Sequence, residues 1–155
     1  MIEVPLQLWN RPHWELKGRW DGTLFFKHIQ AVMPSATSLF VEGTGIAKDV
    51  SDFLHSAAQP GDYLPARQTL WPRAKRYRLS FNDATLAALA KFVEHHSEPE
   101  LLDHLFVYEG ASVLLEFPDA FAKHCPAFFS RQIDEERIRN FATILRLEIS
   151  DETGS

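Results

Sequence analysis

The sequence is short of cysteine, of long apolar runs and of targeting signals, and each shortage excludes a class of protein. The one cysteine among 155 residues, Cys125, excludes an internal disulfide framework and a cysteine-rich zinc site. No apolar run approaches the roughly 18 residues that a membrane-spanning helix needs. The first ten residues, MIEVPLQLWN, lack the charged and apolar regions of a secretory signal. We therefore expect a cytoplasmic protein without a membrane partner.

The residues that are present in quantity are typical of one globular domain. Hydrophobic residues make up 45% and charged residues 24%, and 12 Phe and 4 Trp supply large apolar surfaces. A chain of this length can bury a substantial core, and no repeat or linker divides it. We predict a single domain over residues 1–149, followed by a disordered tail at 150–155.

Apolar residues recur at helical spacing in some stretches and at strand spacing in others. Four stretches predict helices, at about residues 21–33, 46–57, 82–96 and 134–145. Short apolar runs predict strands at 39–42, 75–81, 105–108 and 113–117, with extended segments in the first twenty residues and at 147–149. This order predicts an α/β domain with a mixed sheet of about four to five strands covered by about four helices. We expect parallel βαβ pairing in the first half and an antiparallel hairpin near 105–117.

Gly43 and Gly45 frame a turn between a predicted strand and a predicted helix. Backbone N–H groups in such a turn can hold a phosphate. The dinucleotide-binding fingerprint requires a third glycine, and Lys48 occupies that position. The alternative interpretation is an ordinary strand-to-helix turn.

A basic stretch follows a proline-rich segment and contains no acidic residue between Ala66 and Arg78. Arg76 and Arg78 share one face of a predicted strand, so two guanidinium groups can converge on one anion. The alternative is a solvated strand whose positive charges oppose edge-to-edge pairing. Together with the glycine turn, the candidate ligand-binding residues are Gly43, Gly45, Arg73, Arg76 and Arg78.

The tryptophans are candidates for a protein interface. Trp is enriched at interface hot spots, where a large ring fills a pocket of the partner. The alternative is that the rings pack the N-terminal segment against the sheet. The candidate interface residues are Trp9, Trp14, Trp20 and Trp71.

No pattern in the sequence is diagnostic of a metal site or of catalysis. His95, His96 and His104 lie near Glu98, Glu100 and Asp103 in the sequence. Neighbouring histidines on a helix point about 100° apart, however, and H-E-x-x-H is absent. Cys125 follows His124 directly, and adjacent residues rarely orient as nucleophile and base. The sequence therefore predicts no enzymatic site, no metal and no cofactor.

The formal net charge of -5 conceals a division along the chain. Residues 1–81 hold 10 basic and 7 acidic residues, whereas residues 82–155 hold 6 basic and 14 acidic ones.

We expect non-enzymatic binding of another macromolecule, above all a protein, with an immunity-like or antitoxin-like inhibitor as one concrete version. The alternative is a small-molecule or phosphate-binding domain, or an enzyme, that uses the Gly43–Gly45 turn and the Arg76 and Arg78 strand face. A third possibility is nucleic-acid binding through residues 67–78, which the acidic net charge disfavours.

Overall fold

A computed structural model describes residues 6–65 and 72–153 of the chain. This part contains seven strands, four helices of ten or eleven residues and two single turns of helix. The strands are β1 His13–Lys17, β2 Ser38–Gly43, β3 Lys75–Ser80, β4 His104–Glu109, β5 Ser112–Phe117, β6 Ala127–Ser130 and β7 Glu148–Glu152. The helices are α1 Gly22–Val32, α2 Lys48–Ala57, α3 Asp83–Val93, the single turn α4 Glu98–Leu101 and α5 Glu135–Leu145, and a 3-10 turn spans Leu8–Asn10. None of these helices is long and apolar enough to cross a membrane.

The seven strands form one sheet in the order β3-β2-β4-β5-β6-β1-β7, and every neighbouring pair is antiparallel. The predicted class of a single α/β domain is confirmed, as is the hairpin of β4 and β5. The predicted number of strands and the parallel pairing in the first half are wrong. The strand β6 has only four residues, which is too short for a clear periodic pattern.

The parallel prediction is wrong because of the path that the chain takes between strands. After β2 the helix α2 leads away from one end of the sheet, and the chain returns to that same end before β3 begins. The strand β3 therefore runs antiparallel to β2, with Val41 opposite Tyr77. The strand β1 does not pair with β2 either. It pairs with β6 and β7, and three strands separate it from β2 in the sheet.

Polar side chains cap the starts of three of the helices. The side chains of Asp21, Asn82 and Asp134 each accept a hydrogen bond from a backbone N–H three residues further on, at 3.0, 2.9 and 3.2 Å. These three bonds fix where α1, α3 and α5 begin. The final strand β7 continues to Glu152, beyond the predicted domain boundary at residue 149.

The two faces of the sheet are covered in different ways. The four long helices pack on one face, where they bury the larger apolar cluster. The opposite face, here called the helix-free face, carries a smaller cluster that the 3-10 turn covers with Leu8 and the loop before β3 covers with Tyr63. The sheet residues of this smaller cluster are Phe40, Phe106, Tyr108, Val113 and Phe128.

Candidate functional site

The helix-free face carries opposite charges at its two ends. One row of residues in register crosses it, from β3 to β7: Arg78, Phe40, Phe106, Glu116, Phe128, Glu15 and Ser150. The strand β3 places Arg76 and Arg78 on this face, and we call them the basic end. The strands β1 and β7 place three carboxylates and one ammonium group at the other side, and we call this group the acidic end. Its members are Glu15, Lys17, Glu148 and Glu152.

A buried carboxylate holds the N-terminal segment over the middle of this face. Glu116 is 0% exposed, and its two oxygens accept hydrogen bonds from the backbone N–H groups of Leu8 at 2.6 Å and Gln7 at 3.0 Å. Burial raises the pKa of Glu116, and the two hydrogen bonds only partly offset this rise. Glu116 therefore fixes the position of the 3-10 turn through its backbone.

The 3-10 turn displays an exposed aromatic ring. Trp9 is 53% exposed, and its ring meets Phe128 edge to face at a centroid distance of 5.6 Å. Since Glu116 holds the preceding backbone, the ring is positioned before any partner arrives. An exposed aromatic ring of this kind loses little conformational freedom on binding.

A second buried polar group lies beside Phe128. The ring of His13 is 5.4 Å from that of Phe128, and its Nδ1 donates a hydrogen bond to the carbonyl of Arg11 at 2.8 Å. The other ring nitrogen, Nε2, lies 3.9 Å from a carboxylate oxygen of Glu15 and has no hydrogen-bond partner within the described residues. One continuous patch at the acidic end is thus formed by Trp9, Phe128, His13 and Glu15.

At the basic end a buried carboxylate faces an arginine. The Arg76 Nε lies 3.8 Å from Oε1 of Glu42, which is fully buried. The hydroxyl of Tyr63 is 3.5 Å from the other Glu42 oxygen, and the Arg76 guanidinium lies 5.9 Å from the Tyr63 ring centre. Burial, reinforced by the Glu42 charge, raises the pKa of Tyr63. The positive charge of Arg76 is therefore partly balanced inside the protein.

Arg78 has different surroundings on the same strand face. Its guanidinium lies 5.9 Å from the Phe40 ring centre and donates to the Ser38 hydroxyl at 3.4 Å. Gly61, at a φ of +128° that favours glycine, passes directly over this guanidinium. No carboxylate among the described residues forms an ion pair with Arg78. Arg78 therefore keeps an unbalanced charge on a half-buried side chain.

The predicted glycine turn lies next to these arginines. Gly43 ends β2 opposite Lys75, so β2 and β3 bring it beside Arg76. The backbone N–H and the hydroxyl of Thr44 both donate to one oxygen of Asp103, each at 2.8 Å. A carboxylate of the protein thus occupies the donors of the turn that an anion would use. Gly45 and Arg73 are exposed on either side.

A polar groove of about 610 Å³ runs between α2 and β3, next to the basic end but on the side of the strand to which Tyr77 points, where the helices pack. The Lys75 ammonium donates to the Ser51 hydroxyl at 3.3 Å, and that hydroxyl is 3.4 Å from the hydroxyl of Tyr77. The groove is lined by three hydroxyl groups, one histidine, two cations and one carboxylate: Ser51, Ser56, Tyr77, His55, Lys75, Arg76 and Asp52. A small anion would fit in this groove, next to the basic end.

The four candidate interface tryptophans have different environments. Trp14 is 4% exposed under the guanidinium of Arg131, 4.3 Å from the ring centre. Trp20 is half-buried and donates its indole N–H to the carbonyl of Cys125 at 2.9 Å. Trp71 lies outside the described residues. Among the described tryptophans, Trp9 alone is more than half exposed.

The histidines of the acidic stretch point to different places. His96 bridges Asp49 at 2.8 Å and Glu100 at 3.2 Å, and both hydrogen bonds raise the pKa of His96. His104 is buried in β4, where its Nδ1 accepts the backbone N–H of Asp119. Within residues 6–65 and 72–153, no three His, Cys, Asp or Glu side chains are grouped to hold a metal ion.

Two residues that organise this face, Glu42 and Glu116, are not among the candidate ligand-binding and interface residues that sequence analysis identified. Each is a single carboxylate inside an otherwise apolar strand, in the runs FVEG and VLLEF. A buried charge in such a run requires polar partners, so a lone carboxylate within an apolar strand could have identified both residues from the sequence. Comparison of the chain with protein-family models, with curated proteins and with solved structures finds no match.

Proposed function

We propose that this chain is a non-enzymatic protein-binding domain that contacts its partner through Trp9 and the acidic end. The observation that carries the proposal is the exposed Trp9 ring on a backbone that a buried carboxylate holds in place. Interface hot spots are often tryptophans of this kind, surrounded by polar residues that exclude water on binding.

The charge beside Trp9 indicates a basic partner. The acidic end carries Glu15, Glu148 and Glu152 against Lys17, so its net charge is negative. Complementary charge speeds association and excludes partners of the wrong sign. A small acidic inhibitor that covers the basic site of a toxin, in the manner of an immunity protein or antitoxin, is a specific form of this proposal.

The polar contacts of the buried ionisable groups support binding over catalysis. Glu116 accepts backbone N–H groups, and His104 accepts the N–H of Asp119. Glu42 lies against Arg76 and Tyr63. Each of these groups has a structural role, and none of them requires a substrate to explain its position.

The test is affinity capture from a native lysate with three forms of the protein. The wild type and Ile144→Ala should retain the same partner, because Ile144 is an exposed apolar residue on the helical side, 45% exposed. Trp9→Ala should weaken that partner's affinity at least about 30-fold, as expected of a hot spot. Equal affinity for wild type and Trp9→Ala, or no retained partner, would remove the proposal.

A second candidate function is binding of a small anion at the basic end, with Gly43, Gly45, Arg73, Arg76 and Arg78 as the predicted residues. Arg78 favours it because no described carboxylate balances its charge, and the neighbouring groove offers Lys75. Thermal unfolding with inorganic phosphate and nucleotides tests it. A ligand at 100 times its Kd should add about 2.7 kcal/mol to the free energy of unfolding, and Arg78→Ala should abolish the gain. Unchanged melting with every compound argues against this function.

A further inference from the structure

The two outer edges of the sheet differ in what covers them. The strand β3 lies against α2, and its Arg78 carbonyl accepts the backbone N–H of Gln59 at 2.7 Å. The strand β7 pairs with β1 on one side, from Glu148 opposite Lys17 to Glu152 opposite His13. No backbone group in the described part of the chain bonds to its other side. The edge of β7 is therefore bare, whereas that of β3 is partly covered.

The side chains of β7 have a distinct chemistry on each face. Glu148 and Glu152 lie on the helix-free side, in register with the acidic end, and Ser150 lies between them. On the helical side, Ile149 is half-buried against the core, and Asp151 forms an ion pair with Arg131. A strand added here would meet the carboxylates of Glu148 and Glu152 on one face, and Ile149 with the ion-paired Asp151 on the other.

We propose that the partner binds by adding an extended basic segment to β7 as an eighth strand, with its Lys or Arg side chains on the acidic end. This inference rests on the proposed function and names the chemistry of the partner. Strand addition supplies backbone hydrogen bonds, and every second side chain of the guest then faces the same side of the sheet. Basic residues at those positions lie opposite Glu148 and Glu152 and beside Glu15.

A second copy of this chain does not fit the same edge. Pairing of β7 with another β7 brings rows of like charge together, which destabilises a sheet. The strand β3 of another copy has the right charge, but its Arg78 carbonyl is already bonded to Gln59. The carboxylates thus prevent self-association at the edge, as charges on natural edge strands do, and admit a strand of opposite charge.

Synthetic peptides test the inference. The probe is a fluorescent peptide of about ten residues that alternates lysine and valine, with a glutamate and valine peptide for comparison. The basic peptide should bind and the acidic one should not. Glu148→Gln with Glu152→Gln should weaken binding at least about tenfold. Glu94→Gln with Glu136→Gln is an equal charge change at two exposed positions, one directly after α3 and one in α5, and should leave binding within about twofold.

N-methylation separates strand addition from simple charge attraction. One peptide is methylated at every lysine and another at every valine, so each keeps its charge but loses the N–H groups along one edge. At least one of them should bind at least about tenfold more weakly than the parent, because β7 needs those N–H groups. If both bind as the parent does, or the parent does not bind, the inference is overturned.

The two proposals fail in different ways. A natural partner that needs Trp9 but competes with no basic peptide sustains the protein-binding function and overturns the strand addition. Protection of the backbone N–H groups of residues 148–152 from hydrogen exchange, in the presence of the basic peptide, supports strand addition even where no Trp9-dependent partner is found.

Discussion

The middle and the basic end of the helix-free face each contain a fully buried carboxylate, but the two carboxylates act on different groups. Glu116 accepts backbone N–H groups of the N-terminal segment. Glu42 instead faces the guanidinium of Arg76. Because Glu116 bonds to backbone, it leaves the surface charges of the acidic end unchanged. Glu42 instead offsets the charge of Arg76, one of the two arginines of the basic end. A buried carboxylate can therefore organise a surface or neutralise it, depending on whether its partner is backbone or side chain.

The largest effect is expected from loss of the Glu116 contacts. Glu116→Ala leaves the N–H groups of Gln7 and Leu8 without their acceptor, and each buried unsatisfied donor costs about 1–3 kcal/mol. We expect the free energy of unfolding in urea to fall by about 2–4 kcal/mol. The exposed Glu136→Ala is the control and should change it by less than about 0.5 kcal/mol. A loss below about 1 kcal/mol for Glu116→Ala would mean that the N-terminal segment is held by other contacts.

A smaller effect is expected at the basic end, where two arginines on one strand can be compared. Arg76→Ala removes the cation beside Glu42, which is costly for a buried carboxylate. Since the Arg76 side chain is 31% exposed, water reduces that cost, and we expect a loss of about 1–2 kcal/mol. Arg78→Ala should cost less than about 1 kcal/mol, because no buried charge depends on it. If the two variants lose the same free energy of unfolding in urea, Arg76 does not stabilise the buried Glu42 as proposed.

The smallest effect is a pH dependence in the middle of the helix-free face. The pKa of Glu116 is raised in the folded protein, so between the ordinary and the raised value the folded state holds more protons than the unfolded state. The stability contributed by this group therefore falls as pH rises through that window and is constant above it. The conservative variant Glu116→Gln does not titrate at this position. The Tm of wild type, relative to that of Glu116→Gln, should therefore fall as pH rises over the same range. If the Tm difference does not depend on pH, the Glu116 carboxylate is better solvated than its burial indicates.

Much of the local structure could be predicted because it depends on neighbours in sequence. Asp21, Asn82 and Asp134 cap helices through N–H groups three residues away, and apolar spacing identifies the face that each helix buries. The strand order could not be predicted, since β1 meets β6 and β7 from the other end of the chain. Of the candidate site, alternation in β3 was enough to place Arg76 and Arg78 on one face.

The division of charge along the chain was visible in the sequence, but its position in space was not. Composition and periodicity determined the single α/β domain, the helix caps and the shared face of the two arginines. Only the tertiary structure decided that Trp9 is exposed while Trp14 is buried, because their exposure depends on distant strands and on Glu116. Local hydrogen bonds and side-chain spacing depend on adjacent residues, whereas the exposed surface is set by contacts across more than one hundred positions, such as the 108 between Leu8 and Glu116.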